Sequence, residues 1–97
     1  LTKLPREEWD ATLALNLTAI WTSSCIAAEL MEDGGRILNI SSLAAEQVIP
    51  GSGHYSAAKA GVNMLTRTFA KELGPRIRVN CIMPGAVPTR WMVLLTA

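Results

Sequence analysis

Charge and aromatic side chains are both scarce in this chain: 18% of its 97 residues are charged and 5% aromatic, against 49% hydrophobic. The nine bases and eight acids are interspersed and leave a net charge of +1. That balance argues against nucleic acid as a partner and against a polybasic membrane patch. The closing stretch Trp91-Met92-Val93-Leu94-Leu95 falls far short of the ~20 apolar residues that span a bilayer, so no membrane partner is expected. No signal peptide is visible. Only two cysteines occur, Cys25 and Cys81, far apart and without metal-ligand spacing. They are expected to be free, mostly buried thiols in a reducing compartment, which places the protein in the cytoplasm.

A glycine-rich phosphate loop is absent too, and the chain begins without Met. What is present is a pattern of helix, strand, helix and strand. Pro5 suits a first helical position and Glu7 and Glu8 suit the first turn. From there Trp9, Leu13, Leu17, Ile20, Trp21, Ile26 and Leu30 recur near helical spacing up to Glu32-Asp33-Gly34-Gly35, which ends the helix. Asn16 is the polar exception, a poor helix former whose amide competes for backbone hydrogen bonds. Ile37 to Ser41 then reads as a strand, Leu43 to Gly53 as a loop, Tyr55 to Leu73 as a helix closed by Gly74-Pro75, and Ile77 to Met83 as a second strand.

Both strands are nearly continuously apolar, as strands covered on two faces are. A strand, helix, strand unit of this length is parallel with a right-handed crossover. Two strands cannot complete such a sheet. Residues 1–97 are therefore expected to form a partial domain, the C-terminal part of a doubly wound parallel-sheet α/β fold whose N-terminal half is absent.

Open parallel sheets bind ligands outside the carboxyl ends of their strands. Here those ends carry Ser41-Ser42 and Pro84-Gly85, and the helix between them opens with Tyr55 and, one turn on, Lys59. A phenol titrates near pH 10 when unassisted; a lysine cation roughly 5 Å away, at an effective dielectric near 20, contributes about 3 kcal/mol. That is about two pKa units toward neutrality, the range suited to general acid–base work. His54, the single histidine, has no carboxylate partner in known reach, and solvent is the commoner environment for the loop residues Glu46, Gln47 and Val48 than substrate.

Ser42, the Tyr55-x-x-x-Lys59 pair, Arg78-Val79-Asn80 and Pro84-Gly85-Ala86-Val87-Pro88-Thr89, taken in that order, resemble the short-chain dehydrogenase/reductase family of NAD(P)-dependent oxidoreductases, with a Rossmann-type fold. The resemblance extends from Asn16 to about Thr89. It implies hydride exchange between NAD or NADP and a small-molecule carbonyl or secondary alcohol. Tyr55 would be the acid/base, Ser42 the donor that holds the substrate oxygen, with Ser41 second, and Lys59 the residue that assists Tyr55 and binds the nicotinamide ribose. Asn16 would hold a water linking Lys59 to solvent, while Pro84, Gly85, Val87 and Thr89 would border the nicotinamide. Homodimer or homotetramer contacts would run through the helices at 5–32 and 54–73. Ala44-Ala45-Glu46 is similar to hydroxysteroid dehydrogenases, and the general pattern equally suits oxoacyl-thioester or sugar reductases. The alternative is a truncated, catalytically inactive chain that serves as an oligomerisation module.

Overall fold

The computed structural model describes residues 1–85; Val87 and Thr89 lie outside them. The first helical rod consists of α1 (Arg6–Leu13), a π-helical segment (Ala14–Thr18) and α2 (Ala19–Leu30). Pro5 stands one position earlier than its sequence signal suggests, as the N-cap. Its carbonyl accepts the amides of Glu8 and Trp9 at 3.1 and 3.2 Å. The rod also stops earlier than the turn at Glu32-Asp33 suggests, because Met31 is already extended. The orphan carbonyls there find a partner from a distant part of the chain: the Arg76 guanidinium donates to Met31 O and Ala28 O at 3.0 and 3.1 Å. Gly34 then turns the chain at φ +88°, a region that glycine enters without the steric cost of a Cβ.

Strand β1 (Gly35–Ile40) consequently starts two residues before Ile37 and pairs in parallel with β2 (Ile77–Ile82), from Gly35 opposite Ile77 to Ile40 opposite Ile82. Between them runs α3 (Gly53–Leu73), which ends where Gly74 adopts an extended conformation. The segment read as a loop contains a 3₁₀ turn, Leu43–Glu46, capped by Ser42. The order helix, strand, helix, strand and the parallel pairing make this an α/β fold of the expected kind.

The core is small and lies between α3 and one face of the sheet. Ala58, Val62 and Thr66 form a buried stripe at helical spacing, and Ile77 and Val79 meet it from β2. Gly61 lets the first rod approach: a Cβ there would lie 2.8 Å from Leu17 Cδ1. Leu38, Ile40 and Ile82 occupy the opposite sheet face and are exposed, so among the described residues only one face carries helices. The continuous apolar character of the strands had suggested cover on both.

The two faces should respond differently to truncation. Ile77→Ala, at a site 1% exposed, is expected to destabilise by about 2–5 kcal/mol. Leu38→Ala, at a site 60% exposed, should stay within about 0.5 kcal/mol. Urea midpoints of the two variants check this.

Candidate active site

The two strands deliver their ends to one edge, and the pairing continues past them. Ser41 N donates to Ile82 O at 2.8 Å and Leu43 N to Pro84 O at 3.0 Å, so Ser41-Ser42-Leu43 runs beside Met83-Pro84-Gly85. Gly85 packs against this wall closely enough that a Cβ would come within 2.9 Å of Leu43 Cδ1.

The adjacent serines divide their work. Ser41 is buried and its hydroxyl donates to the Lys59 carbonyl at 3.2 Å. Ser42 is half-buried and its Oγ accepts the Ala44 amide at 3.1 Å. Acting as a cap consumes a lone pair of Ser42 but leaves its proton available, whereas the Ser41 proton is committed. Of the two, Ser42 is the hydroxyl free to donate to a ligand.

Lys59 is 8% exposed. Its Nζ donates to Ile40 O at 3.1 Å and lies 5.6 Å from the centroid of the Tyr55 ring, within cation–π range. One of its three protons is used by the strand, which leaves two for other acceptors. Burial pushes its pKa below the ordinary 10.5, since taking the ammonium out of water disfavours the charged form. The helical period thus brings Tyr55 and Lys59 together as the sequence suggested, and the Lys59 bond to the last residue of β1 brings the pair to the strand end that carries Ser42.

Asn16 sits inside the π-helical segment. Its Nδ2 donates to Thr12 O at 3.0 Å, and the Ala19 amide reaches Ala14 O rather than the carbonyl four residues back. The helix is therefore perturbed at Asn16, although the amide group itself turns back into its own rod. Val48 is 97% exposed, and Glu46 and Gln47 are exposed too. His54 Nδ1 is buried with no partner among the described residues. Cys25 and Cys81 are free and half-buried, and the Cys81 thiol donates to Asn63 Oδ1 at 3.7 Å. Among the described residues no cluster of metal-ligating side chains occurs.

One buried link was not foreseen. Asn39 Nδ2 donates to Thr66 Oγ1 at 3.1 Å, tying the last residue but one of β1 to α3. A polar residue within an apolar strand was the available signal.

Ser42, Tyr55 and the buried Lys59 thus belong to the carboxyl edge of one parallel α/β unit. The family model described as enoyl-(acyl carrier protein) reductase matches residues 1–94. A 3-oxoacyl-[acyl-carrier-protein] reductase of Synechocystis is 42% identical over 92 residues, covering 92% of this chain and 37% of that protein. A short-chain type dehydrogenase/reductase of Picea abies is 44% identical over 86 residues, covering 86% of this chain and 32% of that protein. A putative oxidoreductase from Escherichia coli superposes with a TM-score of 0.88 at 33% identity, covering 94% of this chain and 40% of the other. The chain belongs to the short-chain dehydrogenase/reductase family. It spans 37% of the length of the Synechocystis relative.

The Lys59 titration has a definite sign. Its folded pKa lies below 10.5, so between that lowered value and 10.5 the unfolded chain holds a proton that the folded chain has lost. Stability then rises with pH across this window. Lys59→Met should flatten that rise, and urea midpoints of the two proteins between neutral and alkaline pH measure it.

Proposed function

We propose that the chain carries the catalytic portion of an NAD(P)-dependent oxidoreductase that interconverts a carbonyl and a secondary alcohol. The observation that carries this reading is the Lys59 ammonium, bonded to the end of β1 and 5.6 Å from the Tyr55 ring. Tyr55 donates the proton to the substrate oxygen in reduction and takes it back in oxidation. Ser42, whose proton is uncommitted, donates to that oxygen and polarises the bond. Lys59 places a positive charge beside the phenol, which favours the tyrosinate formed when the proton leaves. Asn16, at the π-helical irregularity, supports a water path from Lys59 to solvent.

The residues present fit the nicotinamide end of the dinucleotide. Lys59 has two free protons for ribose hydroxyls, and Pro84-Gly85 lies against Leu43 at the same edge. Pro84, Gly85, Val87 and Thr89 would border the ring; NAD and NADP are equally compatible. When bound, the cofactor supplies or accepts the hydride. The names of the relatives point to thioester-linked 3-oxoacyl groups as one substrate class, and the cytoplasm suits such an activity.

A second reading, an oligomerisation module, has its own support. Leu17, Thr18, Trp21, Gly61, Met64 and Leu65 line an apolar cleft of about 440 Å³ between the first rod and α3, and Trp21 and Met64 are exposed. By length and composition alone the rod Arg6–Leu30 would also pass as a membrane span, but its π segment packs on Gly61 of α3, which favours protein as its cover. We read this face as the surface for a second copy, giving a homodimer or homotetramer. It is compatible with catalysis.

Two variants test the two readings independently. Tyr55→Phe, in a longer polypeptide that turns over a carbonyl substrate, should lower turnover by about 10²–10⁴-fold with NAD(P)H affinity retained. Turnover near the parental rate contradicts the assignment. Trp21→Glu should shift the light-scattering mass of the chain toward the monomer without changing its helical circular dichroism.

A further inference from the structure

Three side-chain ties fasten α3 to β1, and they fall at two levels. At the first, the Lys59 ammonium donates to Ile40 O at 3.1 Å and Ser41 Oγ donates to Lys59 O at 3.2 Å. At the second, Asn39 Nδ2 donates to Thr66 Oγ1 at 3.1 Å, and that hydroxyl donates onward to Val62 O at 2.8 Å. Thr66 and Asn39 are 4% and 5% exposed, so water does not compete for these bonds. As the strand advances from 39 to 41, its partners on the helix retreat from 66 to 59. The helix is thus held at two points about 10 Å apart along its axis.

The first level alone would leave a pivot. Both of its ties act on Lys59, so on the β1 side the helix can still swing about that turn; the other side-chain bonds of α3 to neighbouring segments, from Ser56 to Gln47 O and between Asn63 and Met83 and Cys81, are exposed or part-buried. Tyr55 lies one turn on the far side of that pivot, roughly 6 Å away, while Thr66 lies about 10 Å away on the other side. A displacement of about 1 Å at Thr66 then moves the Tyr55 backbone by roughly 0.6 Å in the opposite sense. Misplacements of about 1 Å can cost on the order of 10²-fold in rate, so a movement of this size matters to catalysis.

We infer that Thr66 is a positioning residue for Tyr55 and Lys59, acting through its double hydrogen bond to Asn39 and Val62. This rests on the catalytic reading of Tyr55 for its meaning, but its geometry is tested without turnover. The same helix supplies an internal control. Thr68 makes the same back-bond, Oγ1 to Met64 O at 3.0 Å, but it is exposed and no strand side chain meets it.

The experiment is heteronuclear NMR of the chain: the Lys59 ammonium is held at Ile40 O while the Tyr55 ring moves with α3, so the ring-current shift of the Lys59 side-chain protons near the ammonium and their cross-relaxation with the ring report the swing. Thr66→Val should weaken both signals. Thr66→Ser, which keeps the hydroxyl, should restore them, and Thr68→Val should leave them unchanged. Asn39→Ala removes the tie while leaving Thr66 bonded to Val62 O, and should reproduce Thr66→Val; it decides the matter if Thr66→Val does not fold. Unchanged Lys59–Tyr55 signals in Asn39→Ala or a folded Thr66→Val, with only stability reduced, would overturn the proposal. In a longer polypeptide with turnover, Thr66→Val should lower kcat about tenfold with KM unchanged. Because the NMR signals report geometry alone, the positioning role can fail while Tyr55→Phe still abolishes turnover, and the converse also holds.

Discussion

The hydrogen bond from the Lys59 ammonium to the Ile40 carbonyl is the contact on which the site depends. A lysine that is 8% exposed carries a desolvation cost, and the depressed pKa expresses it. The carbonyl at the end of β1 offsets part of that cost and in doing so fixes where the charge lies: at the carboxyl edge of the sheet, 5.6 Å from the Tyr55 ring. A lysine free to seek solvent would leave the phenol without its cationic neighbour. The cost to the fold and the usefulness of the site thus have one origin.

Around that contact the remaining structure is arranged to hold one helix against one strand. Ser41, spent on the Lys59 carbonyl, and Thr66, spent on Asn39 and Val62, both lock α3. Ala58 and Val62 provide the close apolar packing between them. The parallel pairing of β1 and β2 continues as far as Leu43 and Pro84, so Gly85 stays beside Leu43, next to Ser42 in the chain. Gly61 serves a separate purpose, since its missing side chain admits Leu17 and brings the Asn16 segment onto α3.

Much of this was legible in the residues themselves, for identifiable reasons. Tyr55 and Lys59 share a face because the helical period places them there, and a period survives errors at element ends. The parallel pairing followed from the length of the intervening helix. Element boundaries were less secure: β1 begins at Gly35, and the first helix yields at Met31, because an arginine from beyond α3 caps it there. No local pattern reveals a cap that comes from so far along the chain. The division of labour between Ser41 and Ser42 was equally hidden, as it depends on which of two successive side chains faces the helix. Asn39 and Thr66 are ordinary residues until strand and helix are laid together. Val87 and Thr89 lie outside the described residues, and their place by the nicotinamide is part of the proposal.

The most direct test of the account is an NMR titration of the chain with reduced nicotinamide mononucleotide, the half of the cofactor that the strand edge is argued to hold. Shifts gathered at Ser42, Tyr55, Lys59 and Gly85 are the expected result. Shifts confined to the apolar face of Trp21 and Met64, or none at millimolar nucleotide, would contradict the claim that these residues form the nicotinamide end of a dehydrogenase site.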